Sequence, residues 1–277
     1  FTDDELDAAR TRNELKDEGR QKRSSARGAS SAGADRAARV AKSRAAAETD
    51  EAEATDDDVL RSAGIEVTVG VGAERIESQL RPYLHHRRTG RPWVVNKVAS
   101  TLDGRTAAAD GSSQWITGEQ ARLDVHRLRA QSDAILAGAG TIRADDPQLN
   151  VRGVMAPDGL PPREPRRIVV GSAPAGAKVH PCTQFSGDLG ELLDQLGSEG
   201  IVQLMIEGGA TVANGFHSLG LIDQYVVYLA AAVMGGDDGA PVMRGPGAST
   251  MAHLTRGRFE GITPLGDTLR VDVHRDR

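Results

Sequence analysis

Chemistry is first suggested where charged side chains interrupt apolar runs. The segment Trp93–Ala99, WVVNKVA, sets Asn96 and Lys97 among branched apolar residues. An ammonium in such a run is costly unless it reaches an anion or a polar cavity, which makes Lys97 a candidate substrate-facing residue. The competing reading is an edge-strand lysine whose stem carries its charge to water. Glu207 ends a second apolar run, IVQLMI, and precedes Gly208-Gly209 and a helix. Two glycines at a strand-to-helix corner clear room for a ligand, and a helix N-terminus favours an anion there. The same corner is also ordinary turn chemistry. Arg122, His126 and Arg129 share one face of a third segment. Two arginines can hold a phosphate by paired hydrogen bonds, or can form a solvated face. Gly138-Ala139-Gly140-Thr141 leaves a short apolar run as a turn that backbone N–H groups could use against a phosphate, although it lacks a third glycine.

Other candidates are weaker. Asp103-Gly104 is turn chemistry, so Asp103 reads as structural. Asp145-Asp146-Pro147 resembles a carboxylate pair, but Asp before Pro is above all a turn, and no third oxygen ligand is nearby for a metal. Cys182 is the single cysteine, which excludes an internal disulfide, and no Cys/His cluster has zinc-site spacing. GVGAER at 70–75 lacks the third glycine of a dinucleotide fingerprint.

The elements that must position these residues follow from periodicity. Alternation at Ile65, Val67, Val69 and Val71 predicts a strand over 64–71. Ile76, Leu80 and Leu84 predict a helix over 73–88, with Pro82 kinking or restarting it. Thr117-x-x-Gln120 reads as a capping box opening a helix to about Ala130, with Ala121, Val125 and Leu128 as its apolar stripe. Strands are predicted over 93–99, 133–136, 167–171, 201–206, 224–233 and 268–273, and helices over 189–200 and from Ala210 to a stop at Gly220. In the last helix Val212, Phe216 and Leu219 should face the core. Strands alternating with helices predict an α/β fold, and 277 residues allow one large or two small domains.

Residues 1–57 differ from the rest. They are rich in Ala, Arg, Ser, Asp and Glu, with charge in blocks and few large apolar residues, so a disordered or partly helical segment is expected. A basic arm touching nucleic acid or an acidic partner is one use for it, and a solvated tail is the plainer one. The net charge of −5 argues against a nucleic-acid scaffold over the whole chain. No apolar run reaches the roughly 18 residues needed to span a bilayer, the charged start is unlike a signal peptide, and a cytoplasmic setting is expected. Phe1 in place of Met fits a fragment or a processed form.

The run from Asn96 to Arg152, with IEGGATVANGF at 206–216, resembles the reductase domain of the riboflavin-biosynthesis deaminase/reductase, the RibD family. The resemblance covers about residues 58–277. It implies a dihydrofolate-reductase-like three-layer α/β/α fold around a mixed, mostly parallel sheet, with NADPH as cofactor. It implies reduction of the ribosyl group of 5-amino-6-(5-phosphoribosylamino)uracil. Carried over by motif position, Ser113, Arg129, Leu149, Arg152 and Glu207 correspond to substrate contacts. Ala99, Trp115, Thr141, Asp145, Ser172 and Gly209, Ala210, Thr211, Val212, Ala213, Asn214 and Gly215 correspond to cofactor contacts. Lys97 and Glu207 are then the expected catalytic pair, Arg129 with Arg152 the expected phosphate grip, and no metal is expected. The family's two-domain form also carries a zinc deaminase with H-x-E and P-C-x-x-C ligands. Residues 1–57 offer no such ligands, so deamination is expected to be absent from this chain, which leaves a stand-alone reductase with a separate deaminase as partner or a fragment of a longer chain. The resemblance also implies a homodimer. A same-fold reductase for another pterin or pyrimidine, and a non-catalytic binding module, remain alternatives.

Overall fold

The computed structural model describes residues 55–156 and 159–276. Most of the expected N-terminal segment lies outside these residues. The chain divides into two compact units, one of which holds residues 78–276.

That unit is built on an eight-stranded sheet in the order β5-β4-β3-β6-β1-β7-β10-β9. The strands are β1 (Trp93–Ser100), β3 (Ala134–Gly138), β4 (Arg166–Val170), β5 (Thr183–Phe185), β6 (Gln203–Ile206), β7 (Gln224–Ala230), β9 (Gly257–Leu265) and β10 (Thr268–Arg275). Pairing is parallel from β5 through to β7 and antiparallel from β7 to β10 and β9. Two short strands, β2 (Arg105–Ala107) and β8 (Ala240–Pro241), pair separately.

Alternation along the strands feeds two apolar layers. Val95, Ile135, Val169 and Met205 pack with α3 (Glu119–Ala130) through Ala121, Val125 and Leu128, and with Ile142 of α4 (Ala139–Asp145). Val94, Leu136, Ile168 and Leu204 pack on the other face with α5 (Leu189–Ser198) and with Phe216 of α6 (Ala210–Ser218). Parallel strands covered on both faces read as continuous apolar runs, which is why β1, β3, β4 and β6 were visible in the sequence. This is the dihydrofolate-reductase-like α/β/α layering implied by the resemblance.

Several local expectations are corrected. Residues 65–70 form no strand. Ile65, Val69 and Val71 are exposed, so their alternation has no sheet face to serve. Before them lies α1 (Asp56–Ser62), and after them α2 (Ala73–Thr89) runs through Pro82 as one helix rather than restarting there. The N-cap of α3 is Gly118, without a side-chain cap bond, so Thr117-x-x-Gln120 is no capping box. Gly138-Ala139-Gly140-Thr141 is the start of α4 rather than an open turn. Leu219 follows α6 as its C-cap and is exposed rather than core-facing. Gly220, at φ +68°, stops that helix as expected.

Candidate active site

Register brings the two charged candidates together. Asn96 of β1 lies opposite Ile206 of β6, so the next residues, Lys97 within β1 and Glu207 just past the carboxyl end of β6, are neighbours. Ligands of open α/β sheets bind at that end. Glu207 is fixed from its other side, because its backbone N–H donates to the Leu136 carbonyl at 2.9 Å.

Three side chains meet there. The Arg129 guanidinium donates to both Glu207 oxygens, Nε to Oε2 at 2.8 Å and Nη2 to Oε1 at 2.7 Å. Lys97 Nζ donates to Glu207 Oε1 at 3.4 Å. The side chains are 15% (Lys97), 15% (Glu207) and 12% (Arg129) exposed, so the ions sit out of bulk water yet within reach of the cleft. Burial by itself would raise the Glu207 pKa, but the Lys97 and Arg129 charges and hydrogen bonds more than offset it and hold it down at about 2. Glu207 is therefore a carboxylate throughout the neutral range.

The cluster stands at the junction of two adjoining hollows. One, of about 620 Å³, is lined by Arg122, His126, Arg152, Trp115 and Lys178. The other, of about 500 Å³, is lined by Gly138, Gly140, Thr141, Gly208, Gly209 and Thr211. Lys97, Arg129 and Glu207 line both, as do Ala99, Ser113, Asp145 and Leu149. The first hollow is rich in cations. The second is walled by the N-termini of α4 and α6, which present first-turn N–H groups without side-chain caps.

The two corners press close together at their glycines. A Cβ on Gly138 would lie 2.7 Å from Val212 Cγ2, and one on Gly209 would lie 3.2 Å from Thr141 Oγ1. Asp145, between the hollows, is exposed, although what burial it has raises its pKa.

The first hollow has its own supports. Arg122 stacks over the exposed Trp115 ring at 4.6 Å and donates to the Thr117 carbonyl at 2.7 Å. Arg129 Nη1 donates to the Asn150 carbonyl at 3.0 Å, which ties α3 to the segment carrying Leu149 and Arg152. Lys178 pairs with Asp146 at 3.1 Å. Lys178 and Thr106 were missed by sequence reasoning, since one lies in a loop and the other on a three-residue strand with no periodic signal.

The remaining candidates separate. Thr141, Gly209, Ala210, Thr211 and Val212 line the second hollow. Ala213, Asn214 and Gly215 are buried in α6 and line neither. Ser172 is exposed just after β4 and lines neither. Arg129 is brought to the site, but Glu207 and Asn150 take up its guanidinium, which leaves Arg152 as the expected phosphate ligand without that commitment. Asp103 accepts from Met234 N at 3.1 Å and Gly235 N at 2.7 Å, the structural role expected of it.

The family model described as the RibD C-terminal domain matches residues 92–269, a span that contains β1 and every residue of this cluster. The chain belongs to the RibD C-terminal domain family. The riboflavin biosynthesis protein RibD of Mycobacterium tuberculosis is 40% identical over 222 residues, covering 77% of this chain and 64% of that protein. The chain thus spans less than two thirds of the length of that relative. Among solved structures, RibD of Acinetobacter baumannii (form 2) matches with a TM-score of 0.69 and 31% identity, covering 79% of this chain and 67% of that one. The Thermotoga maritima diaminohydroxyphosphoribosylaminopyrimidine deaminase/5-amino-6-(5-phosphoribosylamino)uracil reductase matches with a TM-score of 0.65 and 26% identity, covering 79% and 66% respectively.

Among the described residues no helix is long and apolar enough to cross a membrane, and no group of three or more His, Cys, Asp or Glu could hold a metal ion.

Proposed function

We propose that this chain is an NADPH-dependent reductase of riboflavin biosynthesis. It reduces the ribosyl group of 5-amino-6-(5-phosphoribosylamino)uracil to give 5-amino-6-(5-phosphoribitylamino)uracil. One observation carries the reading: the Lys97–Glu207–Arg129 cluster stands where a cation-lined hollow meets a hollow walled by glycine corners and helix N-termini. The RibD kinship and the activity in the name of the Thermotoga maritima relative support the same substrate class.

The second hollow fits a dinucleotide. Its glycine corners approach too closely for a Cβ at Gly138, and Gly209 leaves the first turn of α6 free to donate to an anion. Gly209, Ala210, Thr211, Val212 and Thr141 would hold the cofactor. When bound, NADPH supplies the hydride that the sugar carbon receives.

The chain's own residues prepare that carbon. Opening the furanose breaks the bond between the anomeric carbon and the ring oxygen, and the glycosylic nitrogen's lone pair forms the new double bond. The ring oxygen then needs a proton, which the Lys97 ammonium is placed to give. Glu207, held as a carboxylate, aims that ammonium and balances its charge rather than acting as the acid itself. Arg129 locks Glu207 in place, and Arg152 grips the phosphate. A homodimer and a deaminase activity that supplies the substrate belong to the same proposal. The exposed Phe259 and Ile262 of β9 support the dimer.

Purified chain mixed with NADPH and either the deaminated or the non-deaminated ribosylamine tests the reading. Rapid NADPH oxidation with the deaminated pyrimidine is expected. Oxidation by neither compound contradicts it, and a preference for another pterin or pyrimidine moves the chain to a sister activity on the same fold.

A further inference from the structure

His126 does work at the cleft that the reductase chemistry described above leaves unassigned. It lies on α3 one turn before Arg129 and lines the cation-rich hollow, half-buried. Its Nδ1 accepts the backbone N–H of Arg152 at 3.1 Å, and Arg129 Nη1 stands 3.5 Å from the same nitrogen. Two donors facing one ring nitrogen require a lone pair there. The hydrogen of the neutral imidazole therefore sits on Nε2.

The charges around the ring agree. Burial disfavours the imidazolium, and so do the Arg129 and Arg152 guanidinium groups. Glu207 and a hydrogen bond between the ring and the Asn150 carbonyl pull the other way, but Glu207 is already paired with Arg129 and Lys97, and the net shift is downward.

We propose that His126 is a two-ended positioning residue for the substrate phosphate. Nδ1 takes the Arg152 amide and fixes the backbone that carries the Arg152 guanidinium, while Nε2–H is offered to a phosphate oxygen. The sugar phosphate is thus held by Arg152 and a neutral imidazole, in place of the arginine pair that Glu207 has broken up. This assignment of a phosphorylated ligand rests on the reductase reading.

Long-range 1H–15N spectra of the histidine-labelled full chain test the first half. The Nε2–H tautomer is expected for His126 at pH 7, and the Nδ1–H tautomer or an imidazolium would overturn the proposal. Titration with ribose 5-phosphate tests the second half without any turnover, and the His126 Nε2 signal should move on binding. His126→Asn keeps an acceptor near the Nδ1 position but loses the distal donor. It should weaken ribose 5-phosphate binding by roughly 10- to 100-fold, the loss of one hydrogen bond to a charged group, and leave NADPH affinity unchanged. His126→Gln, which restores a distal donor, should recover part of that loss. In turnover, His126→Asn should raise KM for the pyrimidine and leave kcat within about twofold, the mark of lost uniform binding. Unchanged ribose 5-phosphate affinity in His126→Asn would overturn the phosphate role. If the wild-type chain turned over no pyrimidine, the reductase reading would fall, and the ribose 5-phosphate titration would still decide the part played by His126.

Discussion

Glu207 and Asp124 are both mostly buried carboxylates that share an arginine with a third group, yet they serve different ends. Glu207, just past the carboxyl end of β6, holds Arg129 and Lys97 and borders both hollows. Asp124 accepts from the Tyr228 hydroxyl at 2.8 Å and Arg270 Nη1 at 2.9 Å, between α3 and the strands β7 and β10, and borders neither hollow. Burial pushes the Tyr228 phenol well above its usual range, so it remains a hydrogen-bond donor. Arg270 is anchored again by Asp272. One cluster is closed and fully committed. The other keeps a lysine whose single partner lies at the long end of hydrogen bonding, beside open space. A buried ion cluster thus reads as functional by what it borders, rather than by its burial or the size of its pKa shifts.

The largest effect should follow from removing the open cluster's proton donor. Lys97→Ala is expected to lower kcat by about 1000-fold, roughly 4 kcal/mol of barrier, while NADPH affinity stays within about twofold. Equal losses in turnover and cofactor binding would remove Lys97 from the chemistry.

Acid should come next. Glu207 is held at about 2, below its ordinary value of 4.5, so its stabilisation is complete above pH 4.5 and is lost as pH falls toward 2. The loss is on the order of 3 kcal/mol, and Glu207→Gln should flatten that part of the stability–pH curve measured by denaturant unfolding. An equally steep curve in the variant would assign the acid transition elsewhere.

The closed cluster should give a smaller effect of another kind. Asp124→Asn should cost about 2 kcal/mol of stability, seen as a lower Tm, with kcat near wild type wherever the protein is folded. A fall in kcat with unchanged Tm would erase the contrast between the two clusters.

The smallest change expected is at the glycine corner. Gly138→Ala presses on Val212, which should cost about 1 kcal/mol and weaken NADPH binding several-fold, and Val212→Ala in the same chain should restore the stability.

The sequence showed the parts of this comparison unequally. The strands buried on both faces declared themselves as apolar runs, and the placement of Lys97 inside one run and of Glu207 at the end of another pointed to the cleft before any pairing was known. The partnership of Arg129 with Glu207, 78 residues away, was invisible because only the parallel register of β1, β6 and β3 brings α3 over that strand end. The edge strand β9 escaped notice because most of its residues are exposed and its large apolar residues, Phe259, Ile262 and Leu265, fall three apart rather than alternating. The false strand over 64–71 teaches the converse, since alternation specifies a strand only where a neighbouring strand accepts its edge. The resemblance, by motif position, put Ala213, Asn214 and Gly215 beside Thr211 among the cofactor contacts, whereas α6 buries these three and only Thr211 lines the second hollow.

The central claim is a continuous cleft that holds a reduced dinucleotide and a sugar phosphate side by side at the Lys97–Glu207–Arg129 junction. Calorimetric titration of the full chain with NADPH, before and after saturation with ribose 5-phosphate, tests it most directly. Binding of both ligands together, one of each per chain and with NADPH affinity retained, is the predicted result. Mutual exclusion would mean that the two hollows are one site and would contradict the account.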